Sequence, residues 1–291
     1  MVGAGSGQRR TGHDASGGVI DPSFGGTLGA AAEIVSIAAA AGQLIHARFG
    51  TPGDVAAKGD VGSSGRVFDV VTEVDMACEA LIVDHIRRIS PGAVILAEEG
   101  GVHDAHHHTD LALLDDLWVV DPLDGTLNFS AGLPMCAVSI AHYRRGEIVA
   151  GVIHAPMLAE TWTIDETGPR CNGAPIRVNS SAHAHQTVLA ASGSGKDLAA
   201  IARPFRSWRR VGSAALSLAW VAGGRFGAYV QMGALQPWDL AVGAPLVQAA
   251  GGVITDHHLR PWTINFDSST GLVASAETIF PELTSTLESV Q

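Results

Sequence analysis

The fold of this chain can be read outward from one segment, Leu117-Trp-Val-Val-Asp-Pro-Leu-Asp-Gly-Thr-Leu-Asn-Phe-Ser130. Its first four residues, Leu117 to Val120, have the length and the β-branched content of a buried strand. Pro122 and Gly125 then predict that the strand stops abruptly, because proline cannot donate a sheet hydrogen bond and glycine favours turns. The segment therefore predicts a buried strand that ends in a sharp turn.

Two carboxylates lie in that turn. Asp121 and Asp124 can converge on one point, and like charges held close together are costly unless a cation neutralises them. A hard divalent metal ion is the expected partner. Gly125 and Thr126 then open a short helix, whose free backbone N–H groups and hydroxyl suit a phosphate. An ordinary turn is the alternative interpretation, since Asp, Pro and Gly are common turn residues.

The composition is that of a globular, acidic protein. Of its 291 residues 46% are hydrophobic, enough for a large core in one large domain or two closely packed ones. With 18 basic and 29 acidic residues the formal net charge is −11, which argues against nucleic acid as a partner. A small phosphorylated substrate stays compatible, because a metal ion would supply positive charge locally. Three widely spaced cysteines without a CxxC pair favour reduced, buried thiols in a cytoplasmic protein over disulfides or a zinc site: Cys78, Cys136 and Cys171.

The amino-terminal region predicts an extension followed by a folded domain. Residues 1–25 are rich in Gly, Ser, Arg and Asp and lack the apolar region of a secretory signal, so we expect them to be disordered. Residues 26–291 would then form the domain. The longest apolar segment, residues 28–45, is mostly alanine and is interrupted by Glu33 and Gln43. It predicts a helix of a soluble protein, with no membrane span.

The remaining pattern alternates irregularly between helices and strands. Helices are expected over residues 27–49, after an N-cap at Thr72, after an N-cap at Ser213, and from Pro237 onward with a kink caused by Pro245. Strands are expected at residues 93–97, 135–143, 148–154, 160–164, 188–191, 226–232 and 271–275. Antiparallel runs beside helices indicate a layered α/β or α+β domain.

Other candidate ligands lie near the ends of these elements. Glu98 follows the strand at 93–97, and Asp75 lies in the first turn of the helix after Thr72, where it would favour the positive end of the helix dipole. Residues 51–68, rich in Gly and Ser, are expected to form a surface loop. His103 and His106–His108 could bind zinc, but consecutive histidines rarely present tetrahedral geometry, so a solvated loop is expected.

Trp118 to Ser130 resembles the first signature of the inositol monophosphatase family of Mg²⁺-dependent phosphatases. Further segments resemble other motifs of that family, in the same order along the chain: 69–75, 97–99, 171–176, 209–216, 237–239 and 249–253. Ala97 departs from the usual glycine, and Lys58 matches a family lysine only if residues 59–67 are partly an insertion. The resemblance covers most of residues 28–280 and implies an αβαβα layered sandwich. Homodimers are common in the family.

The resemblance also implies a site with two or three metal ions. Glu98, Asp121 and the Leu123 carbonyl would hold one ion, and Asp121, Asp124 and Asp239 a second. Ligands that are all oxygen atoms select Mg²⁺, or Mn²⁺, over zinc. The expected chemistry is hydrolysis of a phosphate monoester by a metal-activated water.

Around those ions the resemblance implies further roles. The Gly125 and Thr126 amides would hold the phosphate oxygens, and Asp75 with Thr126 would orient the attacking water. The resemblance also implies a catalytic role for Glu98. Ser213 and Ala214 would lie beside the substrate, as would Asp239 and Gln231.

The implied substrate is inositol 1-phosphate or a similar small sugar or polyol phosphate. Fructose 1,6-bisphosphate, histidinol phosphate and 3′-phosphoadenosine phosphate are alternatives, as is a catalytically silent protein that binds phosphorylated ligands. Gln231 stands where the family carries a glutamate, and the chain from there to Trp238 is one residue longer. A neutral amide would weaken binding of inositol hydroxyls and would suit an acceptor such as a second phosphate, unless Gln231 points into solvent.

Overall fold

A computed structural model describes residues 31–51, 53, 55–57, 70–103, 110–192 and 196–288 of the chain. The predicted extension 1–25, Lys58 and the histidines 106–108 lie outside these residues. The boundary between residues 25 and 26 therefore stays a prediction.

The elements follow one another in an irregular order, as expected. The helices are α1 (Ala31–Arg48), α2 (Glu73–Ile89), α3 (Thr126–Ser130), α4 (Lys196–Ala202), α5 (Ala214–Ala222), α6 (Pro237–Leu240), α7 (Gly243–Ala249) and α8 (Phe280–Glu288). The strands are β1 (Val55–Ala57), β2 (Val70–Thr72), β3 (Val94–Ala97), β4 (Gly101–His103), β5 (Leu117–Asp124), β6 (Ala137–Arg144), β7 (Glu147–Ala155), β8 (Glu160–Ile164), β9 (Arg170–Cys171), β10 (Ala174–Pro175), β11 (Val188–Ser192), β12 (Ser207–Arg209), β13 (Ala228–Leu235), β14 (Gly252–Asp256) and β15 (Thr270–Ala276).

Two large sheets alternate with three layers of helices. The eight-stranded sheet has the order β10-β9-β8-β7-β6-β5-β3-β4, and the five-stranded sheet has the order β12-β11-β13-β15-β14. Helices α1 and α2 pack together against β5, β6 and β7 of the larger sheet, and α5 and α7 contact both sheets from between them. Helices α4 and α8 pack together on the smaller sheet. This confirms the expected αβαβα sandwich.

One buried core fills the space between the sheets, and another lies under α1 and α2. The first contains most of α5 and α7, which are apolar on nearly every side because sheets cover them on two faces. The second joins Ile34, Ile45 and Ile82 of the outer helices to Val120 and Ile140 of the larger sheet. The ends of β5 and the starts of α2 and α5 are thereby fixed against one another. In the part of the chain described here, no helix is long and apolar enough to cross a membrane.

Strand β5 continues past Val120 and Pro122 and ends at Asp124, so the expected stop is confirmed at Gly125 and is wrong at Pro122. Asp121 pairs with Ser139 and Asp124 with Ala137, so two residues of β5 oppose one of β6 in a bulge. On the other side, the pairing with β3 ends at Val120. Pro122 therefore lies where no ladder partner needs its missing N–H, and a proline is tolerated there.

Other expectations hold with shifted bounds. The kink expected from Pro245 is present as the break between α6 and α7, at Ala241 and Val242, one turn before the proline. The loop expected over residues 51–68 is partly wrong, since Val55–Ala57 pairs with β2 in an antiparallel ladder. Strand β13 also runs three residues beyond its expected end, to Leu235.

Candidate metal and phosphate site

Asp75 links the start of α2 to the centre of the molecule. Its Oδ2 accepts hydrogen bonds from the Thr72 backbone N–H at 2.9 Å and from the Thr72 hydroxyl, which caps the helix by accepting from the Val74 N–H. Its Oδ1 accepts from the Thr126 hydroxyl at 2.7 Å, and the side chain is fully buried. One oxygen of Asp75 therefore binds the start of α2 and the other contacts Thr126, and its expected role in orienting the water stays a prediction.

The bulge in β5 sets the direction of two carboxylates. In a regular strand, residues three apart point to opposite faces, whereas one extra residue restores them to the same face. Asp121 and Asp124 are paired with Ser139 and Ala137, which are two apart, so both point to one side. The Asp121 Oδ1 also accepts the Leu123 N–H at 3.0 Å. The proline in the signature thus helps to place both carboxylates at one site.

Asp124 lies at the amino terminus of α5. Its carboxylate accepts hydrogen bonds from the Ser213 hydroxyl at 2.5 Å, from the Ala215 N–H at 2.7 Å and from the Ala214 N–H at 3.3 Å. Ser213 also accepts the Leu216 N–H, which confirms it as the N-cap of α5. The free amides of the helix end hold a negative charge, as is usual at such ends.

Asp239 comes from the carboxyl-terminal half of the chain and lies beside the carboxylates of Asp121 and Asp124. It lies in α6, where its Oδ2 accepts the Gln236 N–H at 2.7 Å. One oxygen from each of Asp121, Asp124 and Asp239 lies within 4.8 Å of the others. Three carboxylates that the sequence assigned to one metal ion are therefore brought together by the fold.

Glu98 approaches this cluster from the end of β3. Its N–H donates to the Val120 carbonyl at 3.1 Å, at the last pair of the ladder between β3 and β5, and the charge of its carboxylate raises the pKa of Asp121. The next residue, Glu99, donates its N–H to Glu79 of α2 at 2.8 Å. The turn after β3 is thus tied to both neighbours, and the substitution of the family glycine by Ala97 leaves it intact.

The electrostatics of the cluster favour a bound cation. Burial raises the pKa of Asp121 well above its ordinary value, and the charges of Glu98, Asp124 and Asp239 raise it further. Burial also raises the pKa of Asp124 to about 6, against the hydrogen bonds from Ser213 and Ala215, which lower it. Carboxylates crowded and buried in this way need a proton or a cation, and their oxygen donors fit a hard divalent metal ion.

Gly125 lies next to the cluster in a conformation that requires glycine. Its φ of 89° is in the left-handed region, and a Cβ there would come within 2.8 Å of the Met135 carbonyl oxygen. The short helix α3 starts at the following residue, Thr126, as expected. The Thr126 hydroxyl lies 2.7 Å from Asp75 and 3.0 Å from the Leu123 carbonyl, so one turn places the amides of residues 125 and 126 beside the carboxylates.

A cavity of about 860 Å³ opens over these residues. Its lining includes every predicted site residue except Asp75, which lies beneath the lining residue Thr126: Glu98, Asp121, Leu123, Asp124, Gly125, Thr126, Ser213, Ala214, Gln231 and Asp239. Gln231 lines the cavity, where its Oε1 accepts from the Tyr229 hydroxyl at 3.3 Å. Its side chain is half-buried at the cavity, and the expectation that it selects the substrate stays a prediction.

Two residues of this site carried no role in the sequence interpretation. The Asn128 amide donates to the Met135 carbonyl at 2.7 Å and to the Val211 carbonyl at 2.8 Å, which fastens together two segments of the cavity wall. Arg210 also lines the cavity, and its charge is opposite in sign to that of the acidic cluster. Asn128 belongs to the signature segment, so its position in the sequence was a reason to expect it at the site. Nothing local distinguishes Arg210 from Arg209.

Other candidates lie outside the cavity. His103 is the last residue of β4 rather than part of a loop, and it contacts Glu79 at 3.3 Å. Residues 106–108 lie outside the described residues, so the loop expected there stays a prediction. The three cysteines are free thiols, with Cys78 and Cys136 buried and Cys171 half-buried.

Fold and cavity together describe a phosphatase of the layered α/β class. The chain belongs to the inositol monophosphatase family, because the sequence model of that family matches residues 30–291. Members of this family are generally metal-dependent, in agreement with the carboxylate cluster.

Individual relatives support the assignment. The chain is 38% identical to the fructose-1,6-bisphosphatase/inositol-1-monophosphatase of Thermotoga maritima over 214 residues, covering 70% of this chain and 79% of that protein. It is 39% identical to the Nus factor SuhB of Escherichia coli over 233 residues, covering 76% of this chain and 83% of that protein. The solved structure of a Thermotoga maritima IMPase superposes with a TM-score of 0.75 at 33% identity, covering 88% of this chain and 96% of that one.

Proposed function

We propose that this chain is a Mg²⁺-dependent phosphomonoesterase that hydrolyses inositol 1-phosphate or a similar small sugar or polyol phosphate. The observation that carries the proposal is the approach of Asp121, Asp124 and Asp239 to within 4.8 Å beside the start of α3. A carboxylate cluster next to free helix amides suits a metal ion and a phosphate that share oxygen atoms.

One group of residues would bind the metal ions and the phosphate, and another would orient the attacking water. Glu98, Asp121, the Leu123 carbonyl, Asp124 and Asp239 would hold two or three Mg²⁺ ions, with Mn²⁺ as a substitute. Such ions supply an activated water and positive charge for the departing oxygen. The amides of residues 125 and 126 would bind the phosphate oxygens and fix the phosphorus in the path of the water.

Thr126 and Asp75 would direct the attacking water. The Thr126 hydroxyl has one proton, and at 2.7 Å it donates that proton to Asp75. Its oxygen lone pairs then remain to accept a hydrogen bond from the water, which orients a lone pair of the water toward phosphorus. Asp75 is itself held by Thr72, so the pair keeps a fixed direction. Glu98 lines the same cavity as Asp121 and would share the binding of one ion with it.

A substrate panel tests the proposal. Inositol 1-phosphate, fructose 1,6-bisphosphate, histidinol phosphate and 3′-phosphoadenosine phosphate are assayed with Mg²⁺, with Mn²⁺ and with EDTA. We expect metal-dependent release of phosphate, fastest from inositol 1-phosphate or a similar sugar phosphate. Phosphate release that is unaffected by EDTA would refute the metal dependence, and no release from any substrate would refute the hydrolysis and favour the silent binding protein.

We further propose a cytoplasmic homodimer in which residues 26–291 form one phosphatase domain. The free thiols suit a reducing compartment, and the family match over residues 30–291 supports a single domain. Light scattering behind a sizing column measures the mass, and a monomer at micromolar concentration would contradict the dimer.

A further inference from the structure

The cavity has a second polar wall, formed by the smaller sheet. Strands β12, β11 and β13 are adjacent and parallel, so their carboxyl ends meet at one edge. Ser192 ends β11 in register with Gln231 of β13, and Arg210 directly follows β12. Ligands of open sheets with parallel strands commonly bind outside such carboxyl ends. All three residues line the cavity that holds the carboxylates.

The charge of this second wall is opposite to that of the first. Among the described residues that line the cavity, four are acidic, and Arg210 alone is basic. The acidic residues are the candidate metal ligands on β5, α6 and the turn after β3, whereas Arg210 belongs to the other sheet. The proposed hydrolysis at the acidic wall assigns no role to Arg210, so the arginine needs another explanation.

Tyr229 lines the cavity together with residues of both walls. Burial raises the pKa of its hydroxyl, the charges of Asp124 and Asp239 raise it further, and the charge of Arg210 opposes them. The same hydroxyl donates to the Gln231 Oε1 at 3.3 Å, which leaves the Gln231 amide N–H groups as donors to other partners. Arg210 and Gln231 thus both offer hydrogen-bond donors to the same cavity.

The neighbouring arginine differs in its contacts. The Arg209 guanidinium donates to the Ser207 hydroxyl at 2.7 Å and to the Trp208 carbonyl at 2.8 Å, and Arg209 does not line the cavity. Two consecutive arginines of the same charge, one in the cavity wall and one on the outside, therefore form a matched pair for experiment.

We propose that Arg210, with Gln231 and Ser192, forms a distal subsite that binds a second phosphate group, so that bisphosphorylated sugars or polyols are preferred to their monophosphates. This inference rests on the proposed function, since the first phosphate is taken to lie at the carboxylates. The volume of about 860 Å³ is near the upper end of the range for drug-sized ligands, roughly 300–1,000 Å³, which leaves room for a bisphosphate. A guanidinium binds phosphate through two parallel hydrogen bonds, and the neutral amide of Gln231 adds donors without repelling the anion.

The experiment compares fructose 1,6-bisphosphate with fructose 1-phosphate and fructose 6-phosphate, in Mg²⁺, for the wild type, Arg210→Ala, Arg210→Lys and Arg209→Ala. We expect the ratio of kcat/KM for the bisphosphate to that of the better monophosphate to fall about tenfold in Arg210→Ala, which corresponds to about 1.4 kcal/mol. Arg210→Lys should lose about threefold, because charge is kept and the forked geometry is lost. Arg209→Ala should keep the wild-type ratio.

Binding without turnover separates this inference from the proposed function. Calorimetric titration of Asp121→Asn with fructose 1,6-bisphosphate is repeated in Asp121→Asn/Arg210→Ala, where we expect Kd to rise about tenfold. If no sugar phosphate is hydrolysed but this rise is seen, the hydrolysis is wrong and the subsite stands. A ratio of specificity constants that changes less than twofold in Arg210→Ala, or equally in Arg209→Ala, would overturn the subsite while leaving the phosphatase intact.

Discussion

Replacing Ser213 by alanine tests the link between the start of α5 and the candidate metal ligand Asp124. The Ser213 hydroxyl is buried, donates to Asp124 at 2.5 Å and accepts the Leu216 N–H at 3.1 Å. One small group therefore both caps the helix and orients the carboxylate. Its removal should affect stability and metal binding together.

The two contacts set the magnitude. A hydrogen bond to a charged group contributes about 1.5–3 kcal/mol, and an N-cap serine about 1 kcal/mol. Asp124 keeps the Ala215 N–H at 2.7 Å, so the loss should lie in the lower part of the sum, at about 2–3 kcal/mol of the free energy of unfolding. Residues that orient a metal ligand typically change metal affinity or activity by about 10–100-fold when they are removed. We expect the Mg²⁺ concentration for half-maximal activity to rise by a similar factor.

Urea unfolding in EDTA measures the stability, and activity as a function of Mg²⁺ measures the metal affinity. Ser213→Thr, which keeps the hydroxyl, should recover most of both losses. Ser181→Ala removes an exposed hydroxyl bonded to Asn179 at 3.0 Å and should change stability by no more than about 0.5 kcal/mol. If Ser213→Ala unfolds like Ser181→Ala and needs no additional Mg²⁺, then the contact with Asp124 does not hold the carboxylate in place.

Three further changes test the site from other sides. Divalent metal should stabilise the fold by about 2.7 kcal/mol at a hundred times its dissociation constant, seen as a melting temperature that rises with Mg²⁺ or Mn²⁺ and falls with EDTA; an unchanged melting temperature would contradict the carboxylate site. Asp239→Asn keeps the size of the side chain and a carbonyl ligand but removes the charge, so turnover should fall by at least about 10² with an unchanged circular dichroism spectrum, and near-normal turnover would remove Asp239 from the metal ligands. Gln231→Glu should shift the ratio of specificity constants toward inositol 1-phosphate and away from fructose 1,6-bisphosphate. About fivefold of this shift should come from the hydroxyl contacts, and more from repulsion of the second phosphate. If both specificity constants stay within twofold of the wild type, Gln231 selects nothing.

Local chemistry was sufficient to predict much of the fold. Thr72 and Ser213 were predictable as helix caps because a cap involves atoms only two or three residues away. The break before Pro245 follows from the proline ring and the carbonyl one turn earlier. The family motifs likewise identified the carboxylates and their order along the chain.

The path of β5 could not be read from neighbouring residues. Pro122 predicts a stop, yet the strand continues because β6 pairs with it on one side in a bulge and β3 has already ended on the other. Which ladder partner is present beside a residue depends on sheet pairing, and that pairing involves distant segments. The same bulge turns Asp121 and Asp124 to one face.

The sequence by itself indicated which residues are candidates for the chemistry, whereas their meeting at one cavity depended on packing. Asp124 and Ala215 are 91 positions apart, and they touch because α5 is packed between the two sheets and points its free amides at the end of β5. Arg209 and Arg210 are adjacent residues of the same type, but only Arg210, which follows the end of β12, lines the cavity. Spacing rules describe contacts within a few residues along one element, while burial of two sheets against shared helices sets the contacts between elements.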